Sequence, residues 1–263
     1  MVDLSEKVLA PKREKAVSPQ DAPRVESHLR ISGWRQFVAI LRKDIVMELR
    51  TKEMVTSMGL YGLLVLVIYY VALSQAGEAF DVTTIAAGLL FLAVVFTSLL
   101  GLNRSLVHEQ DQGCLEALLL SPIDRTIIYF GKAIGNLIFL LLVEVFLVPL
   151  FFLVFIQSAG VEMGGPWWML AIALLVGSIG ISAVGTLLAT ISVNTKGKDF
   201  ILAVLFIPVM FPLLLAVVAA ASQAVIGDPG YAQTFWQMVA AGTAYDAIMI
   251  LVAYILYDFI LGA

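Results

Sequence analysis

The sequence predicts an all-α integral membrane protein with six transmembrane helices. Three observations carry that prediction. First, 60% of the 263 residues are hydrophobic and only 14% charged, with a mean hydropathy of +0.96. A soluble fold of this length cannot hide so much apolar surface. Second, six apolar runs each approach the ~20 residues needed to cross the hydrocarbon core. Third, the basic residues gather in connections that alternate along the chain, as they do in membrane proteins of fixed orientation. The net charge of -4 says less than this distribution. The single cysteine, Cys114, excludes an internal disulfide or a CxxC site. The first apolar run begins near Val55 behind a charged segment, so no cleavable signal peptide is expected.

Residues 1–30 are polar, mix both charges and contain Pro11, Pro19 and Pro23, the composition of a disordered cytoplasmic tail. From Ser32 the pattern changes. Trp34, Phe37, Val38, Leu41 and Ile45 recur at helical spacing, with Arg35, Arg42 and Lys43 on the other faces. Residues 31–53 therefore read as a basic amphipathic helix lying in the cytoplasmic headgroup region. The same two faces also suit packing against a soluble partner. The six-span region, 54–263, follows, with spans expected at 55–75, 85–103, 130–156, 168–193, 200–221 and 244–260.

The connections fix the expected orientation. Every Lys and Arg lies before Val55, between Arg104 and Lys132, or at Lys196 and Lys198. The other three connections carry only acids: Glu78 and Asp81, Glu162, and Asp228. Both termini are thus expected in the cytoplasm, with Trp167, Trp168 and Trp236 at the outer interface.

The connection over 108–132 differs from the rest. Taken as a helix, it places Leu115, Leu118 and Leu119 on one face, with Glu116 elsewhere. Ser121-Pro122-Ile123-Asp124 then reads as a helix start, with Ser121 the N-cap, Pro122 the first helical residue and Asp124 the third. A short exposed helix should end near Leu120, and a new one should begin at once. A rigid loop with an apolar face implies a partner to push against.

Within the spans, Ser178, Ser182, Thr186 and Thr190 form a stripe at i+4 intervals, and Gly131-x-x-x-Gly135 offers another close-approach site. Pro149, Pro208 and Pro212 are expected to kink their spans. These features suit packing first, and a moving gate is the sharper alternative. Two acids are the intramembrane functional candidates. Glu144 lies mid-span and either fixes helix packing or serves transport; Asp246, near the outer start of the last span, reads as an interfacial N-cap-like residue.

No catalytic constellation is visible. The two histidines, His28 and His108, both fall on the cytoplasmic side. Gly131-Lys132 and Gly197-Lys198 are followed by Ala133 and Asp199. Thr126 and Ser192 stand where the first glycine of a phosphate-binding loop belongs. The chain is therefore expected to be a non-catalytic subunit with no metal site, and any ATP hydrolysis should lie on another chain.

The run Glu109-x-x-x-Gly113-x-Leu115-Glu116-x-Leu118-Leu119-Leu120-Ser121-Pro122, followed by Gly131-Lys132 and Asn136, resembles the signature loop of the CcmB-type haem-exporter family. Members of that family are the membrane-spanning component of the cytochrome c maturation ABC transporter, within the ABC-2 (type V exporter-like) permeases. The likeness extends to KDIVMELRTKE at 43–53, LLVEVFLVPLF at 141–151, Val184-Gly185-Thr186 with Asn194-Thr195, and Tyr245-Asp246. The tail before about Arg30 lies outside the pattern, and Gln110 stands where relatives often carry a basic residue.

The resemblance implies a separate ABC ATPase subunit, a haem-handling membrane subunit, a small accessory membrane protein and two permease copies per complex. The setting would be the cytoplasmic membrane of a prokaryote; no nucleic acid is implied. It further implies a coupling helix docked in a groove of the ATPase. Leu115, Leu118 and Leu119 would form its inserted face and Glu109 and Glu116 its rim, with Gly113, Ser121 and Pro122 belonging to the same ATPase-coupling segment. Asn194, Lys196 and Lys198 would make a second cytoplasmic contact. ATP belongs to the partner. Haem enters as a substrate at a subunit interface, because the chain offers no histidine or cysteine in its membrane or outer parts to ligate iron. Methionines such as Met163, Met169 and Met238, and several tyrosines, are the remaining ligand types, and isolated methionines more often pack. The rival readings are a general ABC-2 exporter for a lipid, polysaccharide or drug, an ATP-independent secondary transporter, and a passive scaffold. A secondary transporter would need polar groups across several spans, where here Glu144 stands nearly alone.

Overall fold

The computed structural model describes residues 32–76, 82–111, 124–159, 164–192, 198–227 and 230–260. They form α-helices only: α1 (Gly33–Thr51), α2 (Glu53–Ala76), α3 (Val82–Asp111), α4 (Arg125–Ala159), α5 (Trp167–Ser192), α6 (Lys198–Ile226) and α7 (Tyr231–Ile260). Six of them, α2 to α7, are long and apolar enough to cross a membrane, so the chain is a multi-pass helical membrane protein. Gly33 onward forms one compact unit. The 1–30 segment lies outside the described residues.

The order of burial explains the bundle. The spanning part of α5 is 78% buried, against 28% for α2 and 22% for α7. Small residues put α5 at the centre, because apolar attraction alone does not draw helices together in lipid, whereas close backbone approach does. Phe91 of α3 seats over Gly177, Leu102 of α3 over Gly185, and Leu213 of α6 with Asp246 of α7 over Gly180. Any side chain at these three glycines would meet a neighbouring helix.

Helix ends are fixed by local polar bonds. Between α1 and α2 the chain turns at Lys52, whose φ of 54° is left-handed, a conformation that costs a non-glycine residue about 1–2 kcal/mol. Two bonds hold the corner. The Lys52 N–H donates to the Glu48 carbonyl (2.7 Å), and the Val55 N–H donates to the Glu48 carboxylate (2.8 Å). Glu48 thus ends one helix and caps the next. The bundle end remote from α1 has a matching device. Gly164 and Gly165 donate their N–H groups to the Val225 and Ala224 carbonyls (2.9 and 3.0 Å), which the end of α6 leaves without helical donors. Gly164 approaches Gly227 closely enough that a Cβ on either would strike backbone. Near this end, Trp168 lies 6.1 Å from Trp236 and 5.9 Å from Phe235, ring centre to ring centre.

Three expectations need correction. The last span begins at Ala232 rather than 244; Gln233, Thr234, Gln237 and Thr243 dilute the apolar run without interrupting the helix. Asp246 is consequently not at a span's start but deep inside α7, only 4% exposed. The helix leading into α4 starts at Arg125, with Asp124 as its N-cap and not its third residue: the Thr126 N–H donates to Asp124 Oδ1 (3.0 Å) and the Ile128 N–H to the Asp124 carbonyl (3.3 Å). Asp124 wins because its carboxylate at this position accepts a first-turn N–H directly. Ser121 and Pro122 lie outside the described residues. Pro149, Pro208 and Pro212 sit inside continuous helices.

Candidate functional site: the polar seam of α4 and its two neighbours

In an apolar bundle the informative residues are the buried polar ones. Most of them here lie on or against α4. The small-residue stripe of α5 faces α4 and is stitched to it. Tyr129 donates its hydroxyl to the Ala183 carbonyl (3.1 Å). Ser182 donates to the Ala133 carbonyl (2.5 Å), the Asn136 amide to Thr186 Oγ1 (2.9 Å), and Ser178 to the Glu144 carboxylate (2.6 Å). These four bonds run from the first turns of α4 to its middle, so they fix its register against α5. Thr190, the last member of the stripe, donates back to the Thr186 carbonyl (2.8 Å) and makes no such link.

The other flank of α4 holds α1. Ile40, the one fully buried residue of α1, packs against Gly131, where a Cβ would lie 3.0 Å from Ile40 Cγ2. Gly135, one turn on, faces Leu41 and Asp44. The Gly131-x-x-x-Gly135 pattern is thus the seat of α1. Between the two glycines' turns, Lys132 Nζ lies 3.1 Å from Asp44 Oδ2, and Asp44 Oδ1 also lies 3.3 Å from Lys43 Nζ.

The two candidate acids are not brought together. Glu144 meets α5 at Ser178 and Asp246 meets it at Gly180. Residues two apart on a helix point to opposite sides, so the two carboxyls flank α5 and do not form a pair. Asp246 Oδ1 is buried with no hydrogen-bond partner among the described residues, as is Thr97 Oγ1. Beside Asp246, the Tyr245 hydroxyl donates to the Val209 carbonyl of α6, between Pro208 and Pro212. No cluster of three His, Cys, Asp or Glu side chains capable of holding a metal occurs among the described residues. Met169 is a core residue and Met238 packs against the core; Met163 lies outside the described residues.

The remaining candidates are reached only in part. Glu109 belongs to the last turns of α3 and Lys198 is the first residue of α6. Gly113, Leu115, Glu116, Leu118, Leu119, Ser121, Pro122, Asn194 and Lys196 all lie outside the described residues. What is described is their continuation: α4 starts just after the first of these segments and α6 just after the second. Asp44, Tyr129, Lys132, Asn136 and their partners are the residues that pattern reading undervalues. A lysine and an asparagine early in an apolar span are the available signal; Asp44, far off in sequence, gives none.

The described residues thus form a multi-pass helical membrane bundle whose spans are fastened to one another by buried polar bonds. The CcmB protein family matches residues 35–254 of this chain. The chain belongs to that family. Among curated proteins it is similar to "Heme exporter protein B" of Pseudomonas aeruginosa, 26% identical over 171 residues, covering 65% of this chain and 74% of the relative. The protein of the same name from Haemophilus influenzae is 21% identical over 179 residues, covering 68% and 78%. That from Rhodobacter capsulatus is 29% identical over 132 residues, covering 50% and 58%.

Proposed function

We propose that this chain is the membrane-spanning permease subunit of an ATP-driven transporter for cytochrome c maturation. In this reading it works with a separate ABC ATPase, a haem-handling membrane subunit and a small accessory membrane protein. Two permease copies serve each complex in a prokaryotic cytoplasmic membrane. Membership of the CcmB family, with three curated relatives named as haem exporter proteins, is the observation that carries the reading.

Both termini face the cytoplasm, because all Lys and Arg then fall on that side. Helix α1 lies along the cytoplasmic surface; the exposure of Trp34, Val38 and Leu49 suits an apolar face turned to the headgroup boundary. The segment after α3 docks on the ATPase through Leu115, Leu118 and Leu119, rimmed by Glu109 and Glu116. Asn194, Lys196 and Lys198 make the second contact. Closure of the ATPase pair on ATP pushes the docked segment, and through it α4, which begins at its far end. The motion ends in export of haem or release of a haem-loaded chaperone outside. Haem is held mainly by the partner membrane subunit, since Met169 and Met238 serve packing here.

Affinity purification from native membranes tests this. The ATPase and the haem-handling subunit should come down with the intact chain, and Leu118→Asp should abolish recovery of the ATPase and its stimulated hydrolysis. Undiminished recovery with Leu118→Asp would overturn the docking assignment. Stoichiometric haem on the purified permease–ATPase pair alone would overturn the division of labour.

A further inference from the structure

The contact least used by the proposed function is the ion pair between α1 and α4. Lys132 Nζ lies 3.1 Å from Asp44 Oδ2, with the two side chains only 6% and 12% exposed. A lysine is rarely so enclosed unless paired, and separating two such charges is costly in a poorly solvated place. The surroundings make the contact specific. Gly131 and Gly135 let the α1 backbone close on α4, with Ile40 packed over Gly131 and Leu41 and Asp44 facing Gly135. Apolar packing of this kind tolerates sliding, whereas an enclosed ion pair has one position. The same few turns of α4 carry, toward α5, the bonds of Tyr129, Ala133 and Asn136. One short stretch of α4 therefore grips a helix on each side, and it is the first helical stretch after the 112–123 segment.

We infer that the Asp44–Lys132 pair fastens α1 to α4 so that the two helices move as one lever, making Asp44 and Lys132 positioning residues for ATP-driven motion. This rests on the proposed docking of the 112–123 segment on an ATPase. Without the pair, α4 can shift along α1 when pushed, and the push is spent at the membrane surface. With it, α1, α4 and the seam to α5 respond together. The pair joins a surface helix to a span, so its effect should appear in coupling rather than in docking.

The test uses the whole complex, permease with its ATPase and membrane partners, in lipid nanodiscs. Asp44→Asn and Lys132→Met should keep the ATPase bound at the parent ratio while permease-stimulated hydrolysis falls about tenfold. The charge exchange Asp44→Lys with Lys132→Asp should restore most of it, which a merely space-filling role would not. Spin labels at Val38→Cys and Leu142→Cys, with Cys114→Ala, give a second readout whose parent arm keeps the ion pair intact. In the parent the α1–α4 distance should be the same with and without ATP, and in Asp44→Asn it should change on adding ATP. Stimulation at the parent level in both single variants, no recovery in the exchange, or an α1–α4 distance that changes with ATP in the parent would overturn the inference. If the single variants fail to fold, the parent distance decides. Failure of the ATPase to bind the parent would instead sink the docking reading itself, a separate result.

Discussion

Helix α4 presents two unlike surfaces to its neighbours. Toward α5 it makes directional bonds through Tyr129, Ala133, Asn136 and Glu144. Toward α2 its contacts are apolar: Leu147 seats over Gly62, and Val143, Phe146, Leu147 and Leu150 line a cleft of about 210 Å³ against Val55, Gly59, Leu63 and Leu66. The difference teaches how a bundle can be held and still move. In lipid, apolar side chains gain little from one another beyond packing, so an apolar face can exchange neighbour for acyl chain at small cost. A hydrogen bond broken at depth has no water to replace it. The polar face is therefore the fixed one, and α4 should travel with α5 and past α2.

Four sets of variants test this contrast and the α1–α2 corner beside it, taken from the largest expected effect to the smallest. Ser178→Val strands the Glu144 carboxylate and should destabilise the protein by about 3 kcal/mol, read by reversible unfolding in bicelles. Adding Glu144→Leu should recover most of that loss. Asn136→Leu should destabilise by about 1 kcal/mol, because Thr186 can turn its hydroxyl back to its own helix. The more telling variant is Asn136→Leu with Thr186→Val: stability near the parent, but stimulated ATP hydrolysis below it, since one of the four bonds that set the register is then gone. Lys52→Gly relieves a left-handed lysine and should raise stability by about 1 kcal/mol; an unchanged or lowered midpoint would show that the α1–α2 corner is not strained. On the apolar side, Gly59 has open space where its Cβ would be. Gly59→Ala should therefore alter stability by less than about 1 kcal/mol, and a large loss there would end the claim that this face is permissive.

Much of the architecture is legible in the sequence, for reasons that these faces make plain. Six spans can be found because hydropathy integrates over some twenty residues and tolerates local noise. The stripe of Ser178, Ser182 and Thr186 is visible as a period, since i+4 spacing aligns residues on one face. Its partners are not. Periodicity states which side of a helix is polar, but not that Asn136 rather than Glu144 meets Thr186. Asp246 is misplaced by pattern because the polar residues between Gln233 and Thr243 look like a loop when hydropathy is averaged, yet they remain helical. Lys132 stands out in sequence as part of a Gly-Lys pair and as a charge early in an apolar span; its meaning depends on Asp44, which no local pattern connects to it. The most strongly patterned connection, Leu115 to Leu119, is the one whose role rests on family resemblance.

The central claim is that α4 moves with α5 and against α2 when ATP is turned over. Electron–electron resonance distances in the assembled complex test it most directly. One pair of labels would sit on α4 and α5, at Leu142 and Leu175, and another on α4 and α2, at Leu142 and Leu64; all three positions are exposed. On adding ATP the α4–α5 distance should stay unchanged and the α4–α2 distance should shift by about 2 Å or more. An α4–α5 distance that shifts while α4–α2 stays fixed would contradict the claim.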